Sequence, residues 1–554
     1  MVPVSLSGGA EGKPATYDYV VVGAGSAGSV VASRLAAAQP DATVLLIEAG
    51  SAGRGVAQVV DPPQWTKLGG TALDWGYSYT PSACVAGRAI PLPRGKVLGG
   101  CSATNAMQWF RGHADDYDAW ERAGAVGWNY AALLPYFRRS EAWEGGPSAH
   151  RGGDGPMRVT RPKNPHPIAV AMIEGAAELG LAQLDEPNSG DSEGTALANL
   201  NIAEGRRFSV IDGYLPAWAP PPAPGQVPVG AWGRVPAPPP NLTVLTGSAA
   251  VRLGFAGSPS GSRSRARCDS VFHTVRGTLR RTHARACVVL ALGALGTPEI
   301  LVRSGIGDPA QLRALGVEVA APLPGVGRNL QDHPLIMGMN FRARSRLGVP
   351  RDNGGGAIMN WRSTRAARPD LHAFVVQGKH AYPDGVSRYG LAGDGNVCAI
   401  SPGLMGPVGK GRLTVRDVTR SGPAAVEIDS GFLTARADVD ALVEAMDTIM
   451  DLVATAAYGD IIDKPLMPTT RLSKADKEAF VRENCATFNH PCGTAAMGTG
   501  PDAVVDPSLR VIGVDGLSIA DASVIPVIPT GNTQAAVIAV AERATDLLLG
   551  ASGP

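Results

Sequence analysis

Neither sign of charge dominates this chain: 50 Lys and Arg stand against 49 Asp and Glu in 554 residues, a net of +1. That balance supplies no polycationic footprint for nucleic acid and no reason to expect a polyanionic partner. Paired cysteines are missing too. The seven cysteines are scattered, odd in number and without a CxxC pair, which argues against a disulfide scaffold or a zinc site and fits a reducing, cytoplasmic setting. There is no run of about 18 apolar residues, so no transmembrane segment is expected. The opening MVPVSLSGGAEGKPATYDY lacks a basic stretch followed by an apolar one, so no secretory signal is read, and residues 1–16 read as a flexible leader.

What is present is ordinary globular material, 44% hydrophobic and 18% charged. At this length two domains are expected, since single cores stop growing near ~250–300 residues. The clearest local signal comes first. Tyr17 to Val22 reads as a buried strand, Gly23-Ala24-Gly25-Ser26-Ala27-Gly28 follows at once, Ser29 to Ala38 reads as a helix, and Thr43 to Ile47 as a second strand ending in Glu48. This is a βαβ unit. Its first glycine permits the tight turn, its second lets backbone approach a pyrophosphate, and its third lets helix and strand pack closely. Glu48 lies about twenty residues on, where an acid binds ribose hydroxyls. Dinucleotide binding is the reading, although the acid does not separate NAD from FAD.

Three other segments carry less on their own. Pro93-Arg94-Gly95-Lys96-Val97-Leu98-Gly99-Gly100-Cys101-Ser102-Ala103-Thr104-Asn105 suits close backbone approach to a flat ring or diphosphate, but its composition alone favours an ordinary Gly-Gly turn. Residues 286–292 read as a buried strand, followed by a helix with Thr297-Pro298 as its start and Gly305 as its stop. His490 in Asn489-His490-Pro491-Cys492-Gly493-Thr494 precedes a proline and is biased to extended backbone. A lone histidine is more often structural than catalytic; here Asn532 begins a final helix over 533–549, whose positive end stabilises developing negative charge. Residues 437–457 read as an amphipathic helix, and 219–240, rich in Pro and Gly, as a long surface loop.

Together, VVVGAGSAG, RGKVLGGCSATN, GALGTPEILVRSGIG, HPCGT and DASVIPVIPTGNT occur in the order seen in the glucose–methanol–choline oxidoreductase family, and the chain resembles that family from Tyr17 to about Leu549. PGVGRNLQDHP and FRGHADDYDAW are similar to it as well. Within the family the likeness is to the branch with choline dehydrogenase and hydroxymethylfurfural oxidase. The resemblance implies an α/β protein, α+β overall: a Rossmann-like FAD-binding domain (17–150, 241–334 and 481–550) and a discontinuous substrate domain on an antiparallel sheet (151–240 and 335–480), with 219–240 as an insertion. It implies that FAD is held by Gly23, Gly25, Ser26, Ala27, Gly28, Glu48 and Ala49, by Val97, Gly99, Gly100, Ser102, Asn105, Ala106 and Met107, and by Ala250, Asp521, Ala522, Asn532 and Thr533. His490 matches the active-site base and Asn532 its partner. The implied reaction is alcohol oxidation, with His490 taking the hydroxyl proton and hydride passing to flavin N5. O2 or a quinone-like carrier is the implied electron acceptor.

Three departures bear on this. Thr104 stands where some members attach flavin covalently through a histidine, so non-covalent FAD is expected. Asn489 stands where this branch usually has an aromatic residue. Gly355, aligned through Arg368-Pro369-Asp370-Leu371, stands where choline-specific members carry a glutamate, and aromatic residues make up only 5%. An uncharged aryl or aliphatic alcohol is therefore expected. The rival readings are a hydroxynitrile lyase or fatty-acid photodecarboxylase type of flavoenzyme, and a flavin-binding protein without catalysis. The presence of His490 favours alcohol oxidation over both.

Overall fold

The computed structural model describes residues 15–53, 55–219, 238–256, 265–392, 395–419 and 426–550. Most of the expected leader and of the Pro-rich stretch lies outside them. Two large sheets organise the molecule. The first runs in the order Leu242–Leu245, Val44–Ile47, Ala15–Val22, Thr278–Leu290, Ala266–Val275, Ala250–Ala256. Leu517–Ile519 adds to Thr278–Leu290 and Val514–Asp515 to Ala266–Val275. Its centre is parallel: Val20 pairs with Leu45 on one side and Val288 on the other. Parallel strands need both faces covered, which is why they are continuous apolar runs with no alternation. Val20, Val21, Val44, Leu46, Val288 and Val289 are all fully buried.

The first helix is Ser26–Ala38, starting earlier than the expected Ser29, because Gly28 belongs to its first turn and lies against the strand. The expected strand 286–292 is the end of the longer Thr278–Leu290, the inner arm of a hairpin. The next helix is Gly293–Arg303, with Pro298 inside it and not at its start. Pro298 has no N–H for the Ala294 carbonyl; Thr494 Oγ1 donates to that carbonyl instead, at 2.6 Å. Thr297 does not cap the helix either. Its hydroxyl donates to Asp521 Oδ2 at 2.6 Å.

The second sheet is antiparallel, in the order Ile462–Met467, Asn340–Ala343, Val397–Leu404, Leu371–Val376, Ala357–Trp361, Gly194–Leu197. Pro334–Ile336 joins it to Cys485–Thr487, a strand that lies beyond the expected domain boundary at 481. The amphipathic helix spans Arg436–Leu452 and buries Val439, Leu442, Met446 and Ile449. It stops before the expected 457, where Thr455 Oγ1 donates to the Leu452 carbonyl at 2.7 Å and a separate short turn, Ala456–Gly459, follows. The last helix, Thr533–Leu549, is largely buried. Its Glu542 is fully buried and held by Arg34, Arg139 and Tyr214 Oη, which anchors the helix against its neighbours. Among the described residues no helix is long and apolar enough to cross a membrane.

Candidate active site

A cavity of about 1010 Å³ runs between the ends of the two sheets. At one end it meets the glycine loop. Gly25 is the N-cap of the first helix and no side chain caps it, so first-turn N–H groups face the space, the arrangement that binds a pyrophosphate. Gly23 has φ +99, and a Cβ on Gly100 would sit 2.7 Å from the Gly25 Cα. The two glycine segments touch backbone to backbone, leaving a shallow cradle. Glu48 lines the same end. Its Oε2 accepts from Ala24 N at 3.0 Å and its Oε1 from Gly50 N at 2.7 Å. Burial pushes its carboxyl up to about 7, against the pull of those N–H groups.

Of the residues expected to hold the cofactor, Gly23, Gly25, Ser26, Ala27, Glu48, Ala49, Gly100, Asn105, Ala106, Met107, Ala250, Asp521, Ala522, Asn532 and Thr533 line the cavity. Gly28, Val97, Gly99 and Ser102 are not among its lining residues. Gly28 lies behind the turn, where a Cβ would be 1.8 Å from the Gly23 carbonyl oxygen. Ser102 works from behind as well: its hydroxyl accepts from Val210 N and from Gln534 Nε2. Asn105, a lining residue, braces its segment: its Nδ2 donates to Gln534 Oε1 at 2.6 Å and its Oδ1 accepts from Arg207 at 2.8 Å. Asp521 accepts from Gly293 N, Thr297 Oγ1 and Ser523 N, tying the helix Gly293–Arg303 to its own turn at the cavity wall.

Beyond the glycine loop, the cavity opens onto His490 and Asn532. Their side chains meet: Asn532 Nδ2 lies 3.2 Å from His490 Nε2. Asn532 is the N-cap of the last helix yet its side chain does not cap it, which leaves the carboxamide turned toward the histidine. Its Oδ1 is buried without a partner, an acceptor open to a bound hydroxyl. His490 is held from two sides. Its backbone N–H donates to Asp332 Oδ1 at 2.8 Å, and its Nδ1 faces His333 Nδ1 at 3.0 Å. Phe488 lies parallel to the His490 ring at 5.7 Å and 9°. Asn489 adopts φ +64, a left-handed conformation in which asparagine is enriched. Burial, followed by the neighbouring His333, Arg94 and His372, pushes the His490 imidazolium well below its ordinary range. The ring is neutral at pH 7 and able to accept a proton.

Asp332 and His333 come from PGVGRNLQDHP, a segment whose resemblance the sequence offered without a role. Asp332 is buried and accepts three hydrogen bonds besides the one from the adjacent His333 N, none of them from a charged group: from Tyr79 Oη at 2.6 Å, Thr487 Oγ1 at 2.5 Å and His490 N at 2.8 Å. A repeated His–Pro pair, His333-Pro334 and His490-Pro491, was the available signal.

Family models described as GMC oxidoreductase match residues 17–220, 234–335 and 407–541. A relative from Brucella ovis named oxygen-dependent choline dehydrogenase is 32% identical over 96% of this chain and 95% of its own. The mitochondrial choline dehydrogenase of Homo sapiens is 32% identical over 96% of this chain and 90% of its own. The crystal structure of pyridoxine 4-oxidase from Mesorbium loti superposes with a TM-score of 0.84 at 32% identity, covering 96% of this chain and 98% of that one. A glycine cradle at the N-terminus of the first helix, a neutral histidine–asparagine pair beyond it, and matches that run nearly the full length agree: the chain belongs to the GMC oxidoreductases, FAD-dependent enzymes that oxidise CH–OH groups.

Proposed function

We propose that the substrate is an uncharged aryl or aliphatic alcohol, with His490 as the base and Asn532 as the group that orients the hydroxyl. FAD, when bound, supplies the acceptor for the hydride. Asn532 Nδ2, beside His490 Nε2, donates to the substrate oxygen, and His490 Nε2 accepts and removes the hydroxyl proton. The N-terminus of the last helix, free of a side-chain cap, favours negative charge developing nearby. Phe374, Phe488 and Tyr382 line this end and keep water from the reacting carbon. Reoxidation falls to O2 or a quinone-like carrier, and aerobic turnover without added dye distinguishes the two.

The observation that carries the choice of an uncharged substrate is the state of the cavity's carboxylates. Four acids line it: Glu48, Asp74, Glu299 and Asp521. Each is already engaged. Glu48 and Asp521 hold backbone N–H groups, Asp74 accepts from Gly70, Gly76 and Arg94 N, and Glu299 pairs with Arg303. Gly355 lines the cavity and brings no charge, while Arg94 and Lys379 bring positive charge. A quaternary ammonium taken out of water is held by a carboxylate or an aromatic cage; here the carboxylates are engaged, and the positive charge of Arg94 and Lys379 opposes a cation beside Phe374, Phe488 and Tyr382. Benzyl alcohol and hexanol are therefore expected to reduce the flavin faster than choline at saturation, in anaerobic stopped-flow on one preparation; choline clearly fastest would overturn the reading.

Non-covalent attachment belongs to the same proposal. Thr104 lines the cavity and offers no imidazole to the flavin. Acid precipitation is expected to leave yellow FAD in the supernatant, and colour held in the pellet would count against it.

A further inference from the structure

We propose that His333 is a positioning residue for the reaction: by accepting the Nδ1 proton of His490, it selects the tautomer in which His490 Nε2 presents a lone pair to the substrate. The inference rests on the reading of His490 as the base.

The argument follows the protons. Asn532 Nδ2 is a donor only, and it faces His490 Nε2 at 3.2 Å. With the Asn532 carboxamide in this orientation Nε2 accepts, and the single proton of a neutral imidazole sits on Nδ1. The group opposite Nδ1 is His333 Nδ1, at 3.0 Å. Two ring nitrogens at that distance share one proton, so His333 Nδ1 is the acceptor and its own proton is on Nε2. The ring of His333 is fully buried; its Nε2 has no hydrogen-bond partner among the described residues, although the nearby carbonyls of Met405 and Pro529 favour a proton on the ring. Burial and the nearby His372 push its imidazolium down to about 3, so it stays neutral and keeps an acceptor. Two fixed elements hold the pair in register: Asp332 accepts from the backbone N–H of both His333, at 2.7 Å, and His490, at 2.8 Å.

The opposite tautomer has a partner waiting. With a proton on Nε2, His490 would donate to an Asn532 carboxamide turned the other way, whose Oδ1 has no other partner. Such an imidazole cannot take the hydroxyl proton at that nitrogen. Without His333, no other group among the described residues accepts a hydrogen bond from His490 Nδ1, and this mute tautomer becomes the better satisfied one. As His490 gains the substrate proton, both nitrogens become donors, and His333 Nδ1 holds the second one. The groups facing His490 are His333, His372, Arg94 and Asn532, and of these only His333 and Asn532 reach its nitrogens.

The test compares His333→Leu, His333→Asn and His490→Ala with the wild type as FAD-loaded proteins, with FAD stoichiometry and thermal unfolding recorded for each. Leucine keeps the apolar bulk and removes the acceptor. Asparagine is smaller but puts a carbonyl oxygen near the position of Nδ1. Anaerobic reduction of the flavin by benzyl alcohol is expected to fall about 10²-fold in the leucine variant, a loss of the size general-base groups carry, at every pH of the plateau and with little change in KM. The asparagine variant is expected to recover most of that loss. Near-wild-type reduction by the leucine variant, with His490→Ala inactive, would overturn the role of His333 alone. Equal losses in the leucine and asparagine variants would also overturn it, since packing and not an acceptor would then be at stake. Near-wild-type reduction by His490→Ala would instead remove the base assignment itself.

Discussion

His490→Ala is expected to bind FAD as the wild type does and to be reduced by alcohol ~10²–10⁴-fold more slowly, in the dark and without oxygen. The two halves of this expectation have separate causes. The backbone at 490 is held by Asp332, through the amide N–H and not the ring, and the imidazole contacts only His333 and Asn532 through hydrogen bonds. Truncation therefore leaves the chain path intact. It strands one buried nitrogen of His333, at a cost of about 1–3 kcal/mol, which thermal unfolding reads. What disappears is the neutral nitrogen that meets Asn532 and is placed to accept a proton. Loss of FAD or of folding would mark the histidine as structural, and near-normal reduction would end its role as base. The dark condition also separates this chemistry from a light-driven reaction.

Gly28→Ala is expected to yield protein that is destabilised and largely free of FAD, whereas Gly25→Ala is expected to fold normally and bind FAD more weakly. The difference lies in what a methyl group meets. At Gly28 it would stand 1.8 Å from the Gly23 carbonyl oxygen and 3.1 Å from Ala291 Cβ. The helix must then move off the strand, an overpacking cost of about 1–3 kcal/mol, and the cradle moves with it. At Gly25 the nearest protein atom is the Gly100 Cα, 3.9 Å away, and φ is −81, so the protein itself has room. Any weakening there comes from the ligand, which needs the backbone close. Unfolding temperature and bound FAD per chain, measured on both variants, check the pair; equal stability of Gly28→Ala and wild type would refute the argument.

Much of the parallel sheet was legible because local rules and tertiary demands coincide there. Tyr19 to Val22 and Val44 to Ile47 are unbroken apolar runs, as a strand buried on both faces is written. The helix after Leu292 was misread for the opposite reason. Thr297-Pro298 has the composition of a helix start, but Thr494, far away in sequence, supplies the donor that lets Pro298 sit inside the helix. The segment Val97–Met107 shows the same limit: its resemblance named neighbours of the cofactor, while packing divides them into Gly100, Asn105, Ala106 and Met107 on the cavity wall and Val97, Gly99 and Ser102 behind it.

By itself the sequence determined the glycine turn, Glu48, the final helix and the candidacy of His490 and Asn532, because each is written in consecutive residues whose backbone needs are local. Only the tertiary structure decided that His490 Nε2 meets Asn532, that Asp332 and His333 stand behind it, and that all four acids of the cavity are engaged. Those are contacts between segments far apart in the chain. Their formation depends on how two sheets bury their apolar faces against the helices, and burial is also what keeps the histidines neutral and gives each missing hydrogen bond its cost.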